Sequence, residues 1–270
     1  MSSGLRERVV TGLLLAGLVI AILVLLPPAV TVAVVLIVVA TGAWEWAGLA
    51  GLAAPPARFG YVVAIGLAIA AAWRLTSSTP ALVAFLVATA AWWFAALVWL
   101  AVAPARGGRR AAALAGFAVL VPAAIGITRL VGIDAQGQVL MLFLLVLIAA
   151  ADVGAYFGGR ALGRRKLAPR VSPGKTWEGF AAGMLAAMLA AGVGAVLFGQ
   201  PLLPWLAVCA VVALVSVVGD LAESMFKRRA GLKDSGALLP GHGGVLDRVD
   251  SLTAAGPVFL LGLLALGVAA

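Results

Sequence analysis

Long apolar runs separated by short breaks dominate the pattern of this 270-residue chain. Stretches of about 18 or more mostly apolar residues recur along its whole length, and each is long enough to cross a bilayer as a helix. The breaks carry prolines, glycines or polar residues, which end helices for backbone reasons. The pattern predicts nine spans, at 9–26, 29–49, 60–75, 80–103, 111–129, 139–157, 178–198, 203–221 and 252–269. We therefore expect an all-α, polytopic membrane fold.

The composition supports this fold and excludes an ordinary soluble domain. Hydrophobic residues make up 64% of the chain, charged residues make up 11%, and the mean hydropathy is +1.16. A soluble domain has about 25% charged residues, so this chain has too few to cover a water-facing surface. The single cysteine, Cys209, lies in an apolar stretch. It excludes an intrachain disulfide framework and fits a small buried or lipid-facing side chain.

The first apolar run follows two arginines, as the core of a signal peptide would. It is longer than the about 7–15 residues of such a core, and no small-x-small cleavage site follows it. We expect this run, at 9–26, to be retained as the first helix.

The basic residues indicate the orientation of the chain in the membrane. Seventeen of the 19 lysines and arginines lie in the N-terminal segment or in the even-numbered connections, whereas Arg74 and Arg129 lie on the other side. Cytoplasmic loops retain basic residues, so we predict a cytoplasmic N-terminus and cytoplasmic loops at 158–177 and 222–251. Topology and anionic lipid headgroups then account for the net charge of +9, and we expect no nucleic-acid partner.

The acidic residues are concentrated in the C-terminal half of the chain. Seven of the ten lie between positions 152 and 250, namely Asp152, Glu178, Asp220, Glu223, Asp234, Asp247 and Asp250. A charged side chain at the centre of a membrane helix costs about 2.5–3.5 kcal/mol on insertion scales, which favours a functional reason for keeping these. Asp152 is predicted to lie inside span six, about a turn and a half before its cytoplasmic end.

Two pairs of carboxylates have a spacing that suits a metal site. Asp220 and Glu223 are three residues apart, as are Asp247 and Asp250, so each pair shares a face where the chain is helical. Mg²⁺ prefers oxygen ligands and usually binds through one or two carboxylates plus substrate phosphates. The predicted ligands are Asp152, Asp220, Glu223, Asp247 and Asp250, and three of them, Asp220, Asp247 and Asp250, are also predicted to be catalytic. The alternative is that the acids form interfacial ion pairs with Arg228, Arg229, Lys233 and Arg248.

A glycine-rich segment joins the two acidic pairs. Its glycines at 241, 243 and 244 free the backbone so that amides can point at a phosphate. For His242, the single histidine, hydrogen bonding that shapes the turn is favoured over acid–base work, because a phosphate nucleophile needs little deprotonation near neutral pH. We predict that Lys233 is catalytic. The predicted substrate-binding residues here are Lys227, Arg228, His242, Gly243, Gly244 and Arg248.

A second basic segment precedes span seven. Its Gly-Lys-Thr triplet at 174–176 is shared with P-loops, but Pro169 replaces the first P-loop glycine and no strand is predicted before it, so we reject that assignment. Ser172, Lys175 and Thr176, at the start of a helix, can still bind phosphate oxygens. We predict that Ser172 and Lys175 fold over the acidic residues, with Asp152 beneath them. The alternative is that this loop only enforces topology and contacts anionic lipid.

The stretch from Ser224 to Asp250 resembles the signature of the phosphatidate cytidylyltransferase family. The matching positions are Ser224, Lys227-Arg228, Lys233-Asp234, Gly236, Leu239-Pro240, His242-Gly243-Gly244 and Asp247-Arg248-Val249-Asp250. Segments 152–160 and 172–179 are also similar to this family, whereas the first five spans match it only in length and hydropathy. The resemblance implies a Mg²⁺-dependent nucleotidyltransferase of a bacterial-type inner membrane, which uses CTP and phosphatidate and forms a homodimer.

The predicted organisation is a single membrane domain, 1–270. Residues 1–135 would form a scaffold with candidate lipid or dimer contacts, and residues 139–270 would form the catalytic helices. Two alternatives remain: a related CTP-dependent transferase acting on another lipid phosphate or alcohol, and a transporter for an anionic substrate. Transporters place charges near the midplane of both halves, whereas here the charges gather at one face of the C-terminal half.

Overall fold

Nine helices and one two-stranded sheet make up the described part of the chain, which in this computed structural model comprises residues 3–133, 136–236, 238 and 243–269. The helices are α1 (Ser3–Leu25), α2 (Pro28–Leu49), α3 (Pro55–Leu75), α4 (Thr79–Val102), α5 (Arg109–Val131), α6 (Gly137–Leu162), α7 (Trp177–Leu197), α8 (Leu202–Arg229) and α9 (Leu246–Ala265). The strands are β1 (Lys166–Ala168) and β2 (Ser172–Thr176).

The predicted polytopic membrane fold is confirmed. Eight helices, α2 to α9, are long and apolar enough to cross a membrane, and α1 contributes a shorter apolar stretch, Leu14–Leu25. Helices α2, α3 and α4 each begin with proline in the first turn. Proline suits this position because its missing N–H would have no partner inside the helix.

Three helices extend beyond the predicted apolar spans on the side of the predicted cytoplasmic loops. Helix α6 ends at Leu162 rather than 157, α8 ends at Arg229 rather than 221, and α9 begins at Leu246 rather than 252. Hydropathy marks only the lipid-crossing part of a helix, whereas these helices continue into polar sequence. The predicted position of Asp152 is therefore wrong, because it lies about three turns before the end of α6.

A β-hairpin replaces the turn that was expected before α7. Strands β1 and β2 pair antiparallel, with Lys166 opposite Thr176 and Ala168 opposite Ser172. The Gly-Lys-Thr triplet at 174–176 therefore lies within β2 itself and runs directly into α7. A P-loop, by contrast, is a loop between a strand and a helix, so the structure agrees with rejecting that assignment.

Close approaches between helices bring the polar helix ends together. A Cβ on Gly158 of α6 would collide with Ala182 of α7, and a Cβ on Gly219 of α8 would lie 2.8 Å from the backbone oxygen of Asp250 on α9. Glycine at these points allows the backbones to approach closely, as is common between membrane helices. As a result, the residues that follow Gly219 on α8 lie beside the first turns of α9.

Candidate active site

Acidic side chains from three helices form one cluster, which we call the acidic cluster: Asp152, Asp220, Glu223, Asp247 and Asp250. Asp152 lies on α6, the next two lie on α8 and the last two lie in the first turns of α9. The charge of Asp220 repels those of Asp152 and Asp250, and the charge of Glu223 is repelled by the two acids of α9. Both predicted acidic pairs are helical, so each pair has the spacing that places it on one helix face.

A buried lysine, Lys227, joins the two halves of the acidic cluster. Its Nζ lies 3.1 Å from Glu223 Oε1 and 2.5 Å from Asp247 Oδ1. Only 3% of the Glu223 side chain and 7% of the Asp247 side chain are exposed, so these charges depend on one another for compensation. The predicted contact of Lys227 with a phosphate stays a prediction, and in the structure its ammonium group lies between two protein carboxylates.

Within the described part of the chain, Asp220, Glu223 and Asp247 form ion pairs with Lys175 or Lys227, two residues that the alternative of interfacial ion pairs did not include. Arg229 instead donates to the Pro104 carbonyl oxygen at 2.7 Å and lies over the ring of Trp99. The other three basic residues of that alternative, Arg228, Lys233 and Arg248, are exposed.

The hairpin contributes a second cation to the acidic cluster. Lys175 of β2 lies with its Nζ 2.6 Å from Asp220 Oδ2, and both side chains keep about a quarter of their surface exposed. This proximity was predicted and is confirmed. Ser172 is half-buried on the same strand, whereas Thr176 is buried and accepts a hydrogen bond from Gly179 N at 3.1 Å. Thr176 thus caps α7, a role that the prediction of phosphate binding did not include.

The end of α6 is tied to the start of α7 by an acid outside the cluster. The Glu178 carboxylate accepts hydrogen bonds from the backbone N–H groups of Arg164 at 3.0 Å and Arg165 at 3.2 Å. These bonds fix the chain where it enters the hairpin, and they support the position of Lys175.

Two described residues of the connection between α8 and α9, Ser235 and Gly244, form hydrogen bonds with Asp247. Its Oδ2 accepts hydrogen bonds from Ser235 N at 2.9 Å, from Ser235 Oγ at 3.0 Å and from Gly244 N at 2.8 Å. Gly243 has a φ of +84°, and a Cβ there would lie 2.9 Å from the same oxygen. Glycine is thus required both by the left-handed backbone and by the close approach. His242 lies outside the described residues.

Sequence reasoning missed Glu45, a carboxylate of α2 that reaches this loop. Glu45 is 4% exposed, and it accepts hydrogen bonds from the backbone N–H groups of Val245 at 3.0 Å and Leu246 at 2.8 Å. A signal was present in the sequence, because Glu45 stands inside an apolar span, where a charge is costly. It was overlooked because the acids of the acidic cluster lie at least 107 positions further along the chain.

The donor set of the acidic cluster fits Mg²⁺. Within the part of the chain that the structure describes, Oε1 of the buried Glu223 carboxylate lies 3.1 Å from Lys227 Nζ, and Oε2 lacks a hydrogen-bond partner. The cluster has five carboxylates against the two ammonium groups of Lys175 and Lys227. No three potential ligands in the described residues are grouped closely enough to hold an ion by themselves. Mg²⁺ commonly binds few carboxylates and completes its shell with water and substrate phosphates, so the donors present suffice.

Similarity to known proteins extends over nearly the whole chain. The model of the Cytidylyltransferase family matches residues 6–266. The phosphatidate cytidylyltransferase of Pseudomonas aeruginosa is 43% identical over 281 aligned residues, which cover 97% of this chain and 98% of that protein. The protein of the same name from Haemophilus influenzae is 47% identical over 154 residues, which cover 53% of this chain and 54% of its own. The chain therefore belongs to the cytidylyltransferase family.

Proposed function

We propose that this protein is a phosphatidate cytidylyltransferase, which converts CTP and phosphatidate to CDP-diacylglycerol and diphosphate. The acidic cluster, with Lys175 and Lys227 set against it, is the observation that carries the proposal. The full-length similarity to the Pseudomonas aeruginosa enzyme supports the same activity. The reaction needs a site that handles two anionic substrates at a membrane, and this cluster lies in the C-terminal halves of α6 and α8 and the first turns of α9, three helices long and apolar enough to cross a membrane.

The chemistry of the reaction accounts for the residue types of the site. An oxygen of the phosphatidate phosphate forms a bond to the α-phosphorus of CTP, and the bond from that phosphorus to the β-phosphate oxygen breaks. A phosphate monoester has a second pKa of about 6, so the nucleophile needs no strong base. Because both reactants are anions, catalysis depends on charge neutralisation and positioning. Bound Mg²⁺ would supply part of that neutralisation on the phosphate oxygens.

The proposed roles follow from position. Asp220, Glu223, Asp247 and Asp250, with Asp152 beside them on α6, are the proposed metal-site carboxylates; no more than two would bind an ion directly, and the others would act through bound water. Lys175 would exchange its ion pair with Asp220 for a phosphate oxygen of CTP, because both side chains remain partly exposed. The remaining phosphate contacts are assigned to Ser172, Arg228, Lys233, Arg248 and the backbone at Gly243 and Gly244, with His242 shaping the turn.

We place this site at the cytoplasmic face of the bacterial inner membrane, with the N-terminus on the same side. The support is the distribution of basic residues, seventeen of which fall on one side of the predicted spans. There a lipid headgroup can enter from the bilayer and a nucleotide from the cytoplasm, and neither has to cross the membrane. We assign membrane phospholipid and a second copy of the chain as partners in the bilayer.

The position of a label in CTP tests the reaction type. Purified protein would be incubated with phosphatidate, Mg²⁺ and CTP labelled at either the α- or the γ-phosphorus. Cytidylyl transfer puts the α label into lipid and leaves the γ label in diphosphate. A CTP-dependent lipid kinase would put the γ label into lipid, and a transporter would label no lipid; either result would contradict the proposal.

A further inference from the structure

Glu45 is a buried carboxylate in the N-terminal half of the chain, which contains no member of the acidic cluster. It lies on α2, and its only described polar contacts are with residues 235, 245 and 246, about 200 positions away in sequence. Within the described part of the chain, Glu45 takes part in no ion pair. A buried charge is costly unless it is well hydrogen-bonded, so three strong acceptor contacts are what allow it here.

The first two of these contacts are made with the start of α9. Helix N-termini leave backbone N–H groups without partners, and a side chain of the preceding residue usually accepts from them. Val245, the residue before α9, makes no such side-chain bond. Glu45 takes this role from another helix, with Oε1 accepting from Val245 N and Oε2 from Leu246 N. A negative charge at this end is also favoured by the helix dipole.

The third contact joins Glu45 to Asp247 through Ser235. The Ser235 hydroxyl lies 2.9 Å from Glu45 Oε2 and 3.0 Å from Asp247 Oδ2. A Cβ on Gly244 would lie 2.5 Å from Glu45 Oε2, so the loop backbone is packed directly against this carboxylate. Glu45 and Asp247 therefore both form hydrogen bonds with Ser235, before the glycine-rich segment, and with backbone N–H groups of residues 244–246, at its end.

We propose that Glu45 is a positioning residue for cytidylyl transfer: it fixes the first turn of α9 and thereby the locations of Asp247 and Asp250. The proposal rests on the proposed function for its effect on turnover. A carboxylate is required because two backbone N–H groups donate to its two oxygens, and the Ser235 hydroxyl, which has a single proton, bridges it to Asp247. Glutamine has the same shape, but its NH₂ group would face a backbone N–H in either orientation, that of Val245 or that of Leu246.

The test compares three variants in the full-length protein. Glu45→Gln removes one of the two carboxylate oxygens that accept from the backbone N–H groups of α9. Ser235→Ala removes only the hydroxyl contact, and Thr41→Val serves as the control. Thr41 lies one turn earlier on α2, and its hydroxyl donates to the Ile37 carbonyl oxygen of the same helix at 2.9 Å. Each variant would be assayed for kcat with saturating CTP and phosphatidate, and for backbone hydrogen exchange of the peptide covering 243–250.

We expect Glu45→Gln to lower kcat at least tenfold and to speed exchange of the 243–250 peptide at least tenfold, with exchange in α6 and α7 unchanged. Ser235→Ala should lower kcat less, and the double variant should be no worse than Glu45→Gln, because the two residues act through one contact network. Thr41→Val should match the wild type in both measurements.

A role in general stability alone would speed exchange throughout the helices and leave kcat per folded molecule within about twofold of the wild type. That result would overturn the proposal, as would lost turnover with unchanged exchange at 243–250.

If Glu45→Gln does not insert into the membrane, a Ser235→Ala variant with wild-type kcat and exchange overturns the proposal. If the wild type and Thr41→Val both make no CDP-diacylglycerol, the proposed function fails, while the exchange measurement still tests the positioning of α9.

Discussion

Lys175 of the hairpin and Asp220 of α8 form an ion pair, with 2.6 Å between Nζ and Oδ2. The contact joins the loop after α6 to the acidic cluster, and it explains why a basic segment so far from the family signature shares its site. Since about a quarter of each side chain is exposed, an incoming phosphate can compete with Asp220 for the ammonium group. Among the described cations, the ammonium group of Lys175 is therefore the one best placed to exchange a protein carboxylate for a substrate phosphate.

Lys175→Ala is expected to raise the KM for CTP by about tenfold or more, because a hydrogen bond to a charged group contributes about 1.5–3 kcal/mol. Steady-state kinetics at varied CTP would measure it. Lys166→Ala is the matched control, since Lys166 lies on β1 of the same hairpin and is exposed. Equal KM values for the two variants would favour the alternative in which the loop serves only topology and lipid contact.

Lys227→Met is expected to destabilise the protein strongly. It leaves Glu223 and Asp247 buried without their shared cation, and removing one partner of a buried pair costs about 3–5 kcal/mol. Thermal unfolding in detergent would report the loss. Arg228→Ala, at the exposed neighbouring position, should stay within about 0.5 kcal/mol of the wild type. Similar stabilities for the two variants would contradict the burial and pairing of Lys227.

Removal of divalent metal is expected to abolish activity, and added Mg²⁺ should restore it. Asp220→Asn should raise the Mg²⁺ concentration needed for half-maximal activity by at least about tenfold, since it removes a proposed ligand charge. The measurement is the initial rate against free Mg²⁺ after treatment with a chelator. Full activity in the presence of excess chelator would rule out the proposed metal site.

The sequence predicted the membrane helices well because their signal is local. Each apolar run reports directly on the helix that contains it, and the ends of α2 and α4 agree with prediction to within one residue. The helical spacing of Asp220 with Glu223 and of Asp247 with Asp250 was read correctly for the same reason.

Contacts between distant segments were harder to predict. Glu45 and Val245 are 200 positions apart, and no local pattern relates them. The hairpin was taken for a turn because its strands have only three and five residues and contain proline and glycine, which are uncommon in strands. The position of Lys227 in the sequence likewise did not show that two carboxylates lie beside its ammonium group.

The proposed orientation can be tested with single cysteines in a Cys209→Ala background. Ser77→Cys lies in the connection between α3 and α4, and Leu238→Cys lies in the loop between α8 and α9; both positions are exposed. A membrane-impermeant thiol reagent should label position 238 only from the cytoplasmic side and position 77 only from the outside, as the positive residues predict. The reverse labelling would overturn the proposed location of the site.

The most direct test of the central claim is the rate of α-labelled cytidylyl transfer to phosphatidate by an Asp250→Asn variant. Asp250 lies on α9 beside Asp220, and the amide keeps its shape while removing its charge. Asp134→Asn is the control, an acid in the connection between α5 and α6. With all three proteins inserted in equal amounts, the account predicts a fall of at least about a hundredfold for Asp250→Asn, as for the loss of an electrostatic catalytic group, and a rate within about twofold of the wild type for Asp134→Asn. Turnover by Asp250→Asn close to that of the wild type would contradict the claim that the acidic cluster is the catalytic site.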